Sequence, residues 1–459
     1  DPAAPTVDDQ IAAERDHADG VAGAASPTPD APSAATSDGA LSAAAAVGVV
    51  IQTHTVAARV ATGVTVTADT ISVTAHGTTN AASGGSGSAA APTTVGIGAG
   101  VALTLSHASI QATVASGATV EATTVTLSAE EGAGEVTAVA ASGAGGDVAI
   151  AGSVAIVLLE RDTLAGLSGT ARMGGGELRI TAVSALNVRA EATPVEASPG
   201  AGTLGIGASF AMVIIDLTPR AEVTDGTVVT GQGAILISSS ATIDARTIAR
   251  MGVASDSVAV APAVAITLST VRPIARLGTG AVLVFDGGVG IQSTNVARAS
   301  AEATGSTTAG TAAVGIGLGL AIGNHAATTE LARSVALTGD LTLGSTVTST
   351  VTATGAASAA GAPASDDDAS TPPDERDSVD AQVAAQRDHA NGVATDRGMS
   401  GAGGTVPPSA ETSDGPVSVA AAVGVALSTV RARVTLAAGI TVTAHAVSLL
   451  SSVAADATA

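Results

Sequence analysis

Two acid–imidazole dipeptides, Asp16-His17 and Asp388-His389, stand in near-identical segments, "DDQIAAERDHADGVA" at 8–22 and "DAQVAAQRDHANGVA" at 380–394. A carboxylate beside an imidazole could act as an acid/base pair or hold a metal. Adjacent side chains on a helix do not converge, so the pair reads instead as a polar face near a helix C-terminus, where His is favourable. Asp366, Asp367 and Asp368, with Asp374 and Glu375 nearby, could offer oxygens to calcium. Hard cations need several oxygens in a shaped loop, and a run of this kind reads more simply as a solvated acidic linker.

His54 and His107 occupy nearly equivalent positions in adjacent repeats, and His76 and His445 are matched at a longer period. None has a His-x-x-x-His spacing, so neither a metal centre nor any cofactor other than a divalent cation is expected. Thr65, Thr67, Thr441 and Thr443 form T-x-T pairs. Stacked on a flat face they would suit ice binding, but the stretches matched to them, "ELRITAV", "AILISSS" and "VGIQSTN", do not keep the array; Thr simply suits strands. "GIGAG" and "GIGLG" are fragments of a dinucleotide loop without the following helix. Catalytic clefts of carbohydrate-active β-helices need converging acids, bases and sugar-stacking aromatics, and those aromatics are missing. No enzymatic activity is expected, and no catalytic, cofactor or metal residue is assigned.

Composition limits what elements could hold such residues. The 459 residues include no Cys, Trp, Tyr or Lys and only two Phe, yet 46% are hydrophobic, mostly Ala and Val. Disorder needs low hydrophobicity, so most of the chain should fold. A core without rings must be thin. The net charge of −22 argues against nucleic acid and against an anionic membrane surface. The longest apolar run, "VAIAGSVAIVLL" at 148–159, is shorter than the roughly 20 residues of a membrane helix. No basic leader opens the sequence. Without Lys there are no Lys–Asn isopeptide links, so strength must come from backbone hydrogen bonds and packing.

The dominant signal is repetition. "LSAAAAVGV" begins at Leu41, "VGIGAGVAL" at Val95, "VAIAGSVAI" at Val148, "LGIGASFAM" at Leu204, "VAVAPAVAI" at Val258 and "VGIGLGLAI" at Val314, spaced by 53 to 56 residues. "VSVAAAVGV" follows at Val417, after an extra segment. Gly63 and Val66 recur as Gly439 and Val442, displaced by 376. Six units and one insert therefore make a module, and the chain reads as one module and the start of the next, a window on a longer periodic polymer.

Within a unit, Val95, Ile97, Ala99, Val101, Leu103 and Leu105 alternate on one face, the period-2 mark of a half-buried strand. Gly-rich turns close each unit, and no helical period runs between the strands. These features predict an all-β fold, a parallel β-helix or β-solenoid of roughly 54-residue repeats. Coils of roughly 18 to 27 residues would give two or three per repeat, and six units would span on the order of 60–90 Å. The expected division is a helical insert with loops at 1–40, the solenoid at 41–365, a second insert at 366–416 and the next module from 417 to 459.

The inserts are read as one short flank helix each. Val7, Ile11, Ala18 and Val21 form a stripe repeated by Val379, Val383, Ala390 and Val393, with Thr6 and Ser378 as N-caps and Asp19-Gly20 and Asn391-Gly392 as stops. "SPTPDAPSAA" and "DDDASTPPDERD" read as loose loops.

Units of the form "VGIGAGVALTL…IQATVASGATVEATTVTLSA" resemble the Ala/Gly/Val-rich repeats of giant bacterial surface exoproteins, the filamentous-haemagglutinin-like and leukotoxin-like adhesins. The resemblance covers 41–365 and 417–459 but neither insert. It implies a secreted, cell-surface β-helical shaft. Scarce Asn and absent Lys depart from many such repeats and leave the receptor open. Two functions are expected to compete. The first is a structural segment of a long extracellular fibre, partnered by copies of itself, by adjacent modules or by other cell-surface components. The second is an adhesin shaft that binds a host, cell or surface ligand.

Overall fold

Period-2 alternation of small and β-branched residues, with Gly frequent enough to weaken any helix, leads the backbone to satisfy its polar groups by pairing with the next copy of itself. The computed structural model describes residues 31–36, 40–89, 94–195, 201–361, 409–413 and 417–459. These contain strands and no helix, and the strand pairings described below are all parallel.

Seven strands stack as one sheet, here the A sheet: Leu41–Val60, Val95–Val114, Gly146–Leu167, Ala201–Val223, Val258–Val271 continued by Ile274–Leu277, Ala312–Leu331 and Val417–Leu436. A second stack, the B sheet, runs through Thr70–Thr78 with Ala81–Ala89, Thr124–Ala144, Thr170–Pro194, Val228–Ser255, Val289–Ala309, Leu341–Gly361 and Val447–Thr458. Short strands at the corner between them, Leu283–Phe285, Val335–Leu337 and Val442–Thr443 among them, form a narrow third side. The fold is a parallel β-solenoid.

Register sets the coil length. Val95 pairs with Val148, Val148 with Leu204 and Leu204 with Val258. Each repeat is thus one large coil with two arms of about twenty residues, in place of the expected two or three small coils. The strands run on because nothing in "VGIGAGVALTLSHASIQATV" turns the chain. The corner comes where Gly63, Gly117, Gly226 and Gly439 take φ of 79°, 77°, 74° and 78°, which a side chain disfavours. At about 4.8 Å per coil, six coils rise about 29 Å, less than half of the expected span.

The cross-section is a wedge. Beside the narrow side, Ile110, Leu127, Leu178, Ile180, Ile235 and Ile237 are fully buried. Farther in, smaller side chains such as Ala102, Ala138, Val157 and Val188 come to predominate, with Leu159, Leu186, Ile215 and Ile243 among them. At the far end the two sheets meet backbone to backbone. A Cβ on Gly96, Gly98 or Gly100 would strike the carbonyl oxygens of Gly145, Gly143 and Ala141, and one on Gly317 that of Ala356. The expected thin core therefore reaches its limit at this tip.

This geometry reverses one sequence expectation. Val95, Ile97, Val101, Leu103 and Leu105 do share a face, but it is the outer one; Gly96, Gly98, Gly100 and Ala102 point inward. On these coils there is no room for a branched side chain between the sheets, so the large residues take the solvent side; on the fourth coil Gly205 and Gly207 face the side chains of Met251 and Val253 instead.

The expected flank helices, over 7–21 and 379–393, lie outside the described residues. Two pieces of the insert spans are strands. Ser33–Thr36 pairs with Ser86–Ala89, and Ser409–Ser413 pairs with Ala356–Ala360. The end of "SPTPDAPSAA" is therefore part of the B sheet and not a loop: "SAAT" has the small residues that the tip admits.

Candidate interaction surface

The tip half of the A sheet carries large apolar side chains outward on every coil. Val47, Val101, Val154, Phe210, Val264, Leu318 and Val423 form one column along the axis. Two residues on, the column reads Val49, Leu103, Ile156, Met212, Ile266, Leu320 and Val425, and the next begins with Ile51 and Leu105. The columns starting at Leu41, Ala43 and Ala45 are likewise apolar on all seven coils. Ile51 is 74% exposed on the outermost coil, and Ile97 and Ile150, flanked by neighbours, keep 38% and 37%. Six apolar columns on seven coils make a face of about 33 by 29 Å, about 1,000 Å². Ordinary monomers rarely expose a contiguous apolar patch larger than a few hundred Å².

The field ends sharply. The next outward column holds Thr53, His107, Glu160, Asp216, Thr270 and Asn324. Beyond it, ion pairs clasp one coil to the next: Arg220 to Asp162 at 3.2 Å, Arg272 to Asp216 at 3.1 Å, and Arg276 to Asp225 at 2.8 Å and Glu330 at 3.1 Å. The backbone N–H of Thr279, ahead of its hydroxyl and Arg276, holds the Asp225 carboxyl below its ordinary range. The outer B sheet is polar, with Thr346, Thr348, Thr350, Thr352 and Thr354 alternating along one strand.

Residues singled out by spacing are dispersed. His107 pairs in register with Thr53, not His54, and the one-residue slip sends the two rings to opposite faces. Outside, His107 lies 3.4 Å from Glu160; inside, His54 lies 3.4 Å from the Thr79 hydroxyl. Burial, then the charge of Arg161, lowers the His54 pKa. His445 occupies the place of Asp69, not of His76, and sits 2.8 Å from Asp340. The true neighbours of Thr65–Thr67 are Thr119, Val120 and Glu121, then Thr170, Ala171 and Arg172, so the T-x-T array breaks at a salt-bridged Glu121–Arg172 pair. The "GIGAG" glycines lie within a strand against the opposite sheet and cradle nothing. Asp16-His17, Asp388-His389 and the acids at 366–375 lie outside the described residues. Among the described residues, no three His, Asp or Glu side chains gather as metal ligands, and no helix is long and apolar enough to cross a membrane.

Sequence reasoning missed the buried polar groups. Arg161 and Glu131 are sealed inside, 2.7 Å apart, with side chains 1% and 0% exposed. Arg161 also donates to the Ser106 carbonyl at 2.7 Å and hydroxyl at 2.8 Å, and Thr79 donates to Glu131 at 3.2 Å. Burial pushes the Glu131 carboxyl up, and Arg161 opposes that shift. Arg333 is buried with its guanidinium on the carbonyls of Thr227 and Thr279 at the corner. The signal was available: "LLERDTL" places Arg161 at an inward position of the period-2 pattern.

Fully buried His325 bridges coils, its Nδ1 2.7 Å from the Ser349 hydroxyl and its Nε2 3.1 Å from that of Ser269. Burial lowers its pKa from 6.5 to about 4. The neutral ring therefore stabilises the fold above pH 6.5, and this contribution is lost as pH falls toward about 4. The full loss is about 3 kcal/mol. Urea melts at pH 7 and pH 4 should show a smaller pH-dependent loss for His325→Gln than for wild type; equal losses would mean that the ring titrates freely.

A comparison with known proteins finds no matching family model, no matching curated protein and no matching solved structure.

Proposed function

We propose that this chain is a structural, non-enzymatic segment of a long, repetitive extracellular fibre or stalk on a bacterial cell surface, assembled by stacking of its own modules. One observation carries the reading. The seventh coil repeats the first at a distance of 376 residues and pairs with the sixth along its whole A strand, from Ala312–Val417 to Leu331–Leu436. The surface offered by coil six is thus the one that coil one's sequence is built to meet, so modules can follow one another without a break in the ladder. Parallel stacking of this kind resists extension through many backbone hydrogen bonds acting together.

Cryo-electron microscopy of the native filament tests this. The expected image is a thin rod with a 4.8 Å rung spacing and an insert-derived feature every ~29 Å. Isolated globular particles of the intact protein, with no axial repeat, would refute the fibre.

A further inference from the structure

We infer that the aliphatic tip face of the A sheet is a lateral docking surface for a second copy of this chain, sheet face against sheet face. This does not rest on end-to-end stacking and applies to a single chain in solution.

Area is the first argument. The face offers about 1,000 Å² per copy, above the ~800 Å² per partner of a standard stable interface. Its chemistry is the second. The six columns carry no charge and no hydrogen-bonding side chain on any coil, so nothing on it would recognise a polar or ionic ligand. What it matches is another array of the same kind. Ridges of like side chains run along the axis about 6.6 Å apart, two residues of strand, and ridges of one copy can seat in the furrows of another. A two-fold axis through the face makes every contact reciprocal, as a closed dimer requires.

Other occupants fit less well. The segment 362–408 has no Leu, Ile or Phe, so it lacks the side chains to cover such a face. An anionic membrane would be repelled by a chain of net charge −22. That same charge opposes pairing at low ionic strength, so added salt should strengthen the dimer.

The absence of native Cys makes the test clean. Met212 lies in the middle coil, in the column next to the two central ones, and Thr242 is exposed on the opposite sheet of the same coil. With a short bis-maleimide, Met212→Cys is expected to give a product of twice 43.2 kDa, and Thr242→Cys is not. In sedimentation equilibrium, Met212→Glu should weaken self-association at least about 100-fold, as a buried unpaired charge would. Circular dichroism should stay unchanged, because the site points outward. Three results would overturn the proposal: equal cross-linking from both positions, a Met212→Glu variant that associates like wild type, or a wild-type chain that stays monomeric and binds phosphatidylcholine vesicles, which would assign the face to lipid.

Discussion

Alanine at Gly98 is expected to destabilise the solenoid by about 3 kcal/mol, the upper end for overpacking, while valine at Gly152 costs nothing. The two glycines lie in neighbouring coils and look alike in sequence. Gly98 faces the opposite sheet, where a Cβ would strike the Gly143 carbonyl and crowd that of Gly87. Neither backbone can yield without breaking a ladder that runs through every coil. Gly152 points outward, with nothing within 4 Å of an added Cβ. A branched residue there loses less entropy on folding and suits a strand, so a gain of up to ~1 kcal/mol is expected. Urea midpoints of the two variants provide the check. If Gly98→Ala matched wild type within about 0.5 kcal/mol, the sheets would not be in backbone contact.

Leucine at Arg161 is the second large effect, a loss of about 3–5 kcal/mol near neutral pH. It would strand the Glu131 carboxylate and the Ser106 carbonyl inside the solenoid. The Glu131 carboxyl, already pushed up by burial, would then take up a proton more readily, so the loss should shrink as pH falls. Removing both charges, as Arg161→Leu with Glu131→Leu, should recover most of the stability, since the register neighbours of Arg161 are Ala108 and Leu217. Additive losses in this double-mutant cycle would show that the two groups do not interact.

The repeat and its strand alternation announced a parallel solenoid, because both follow from spacing alone. Spacing could not say which face is inside. Val95, Ile97 and Val101 alternate with Gly96, Gly98 and Gly100, and general hydrophobicity puts the large residues in the core. The distance between sheets decides otherwise, and that distance is a property of both strands together. The clue lay in the opposing stretch: "VAASGAGG" is as small as the glycines that it meets. Coil count was hidden for a related reason, since nothing local distinguishes a strand of twenty residues from two of ten. His54 and His107 were misaligned by one residue, enough to put them on opposite faces. The apolar face is therefore written plainly in the sequence, but only the spacing between the sheets says that it looks outward.

Each repeat is one coil, and in the tip half of the A sheet its small residues face inward and its large residues outward. Nitroxide labels on Ile97→Cys and Ile150→Cys test both parts, since these positions are direct partners on adjacent coils. At a coil rise of about 4.8 Å, the doubly labelled protein should give a strongly dipolar-broadened spectrum and keep its strand content. A spectrum equal to the sum of the two single labels, or loss of the fold on labelling, would contradict it.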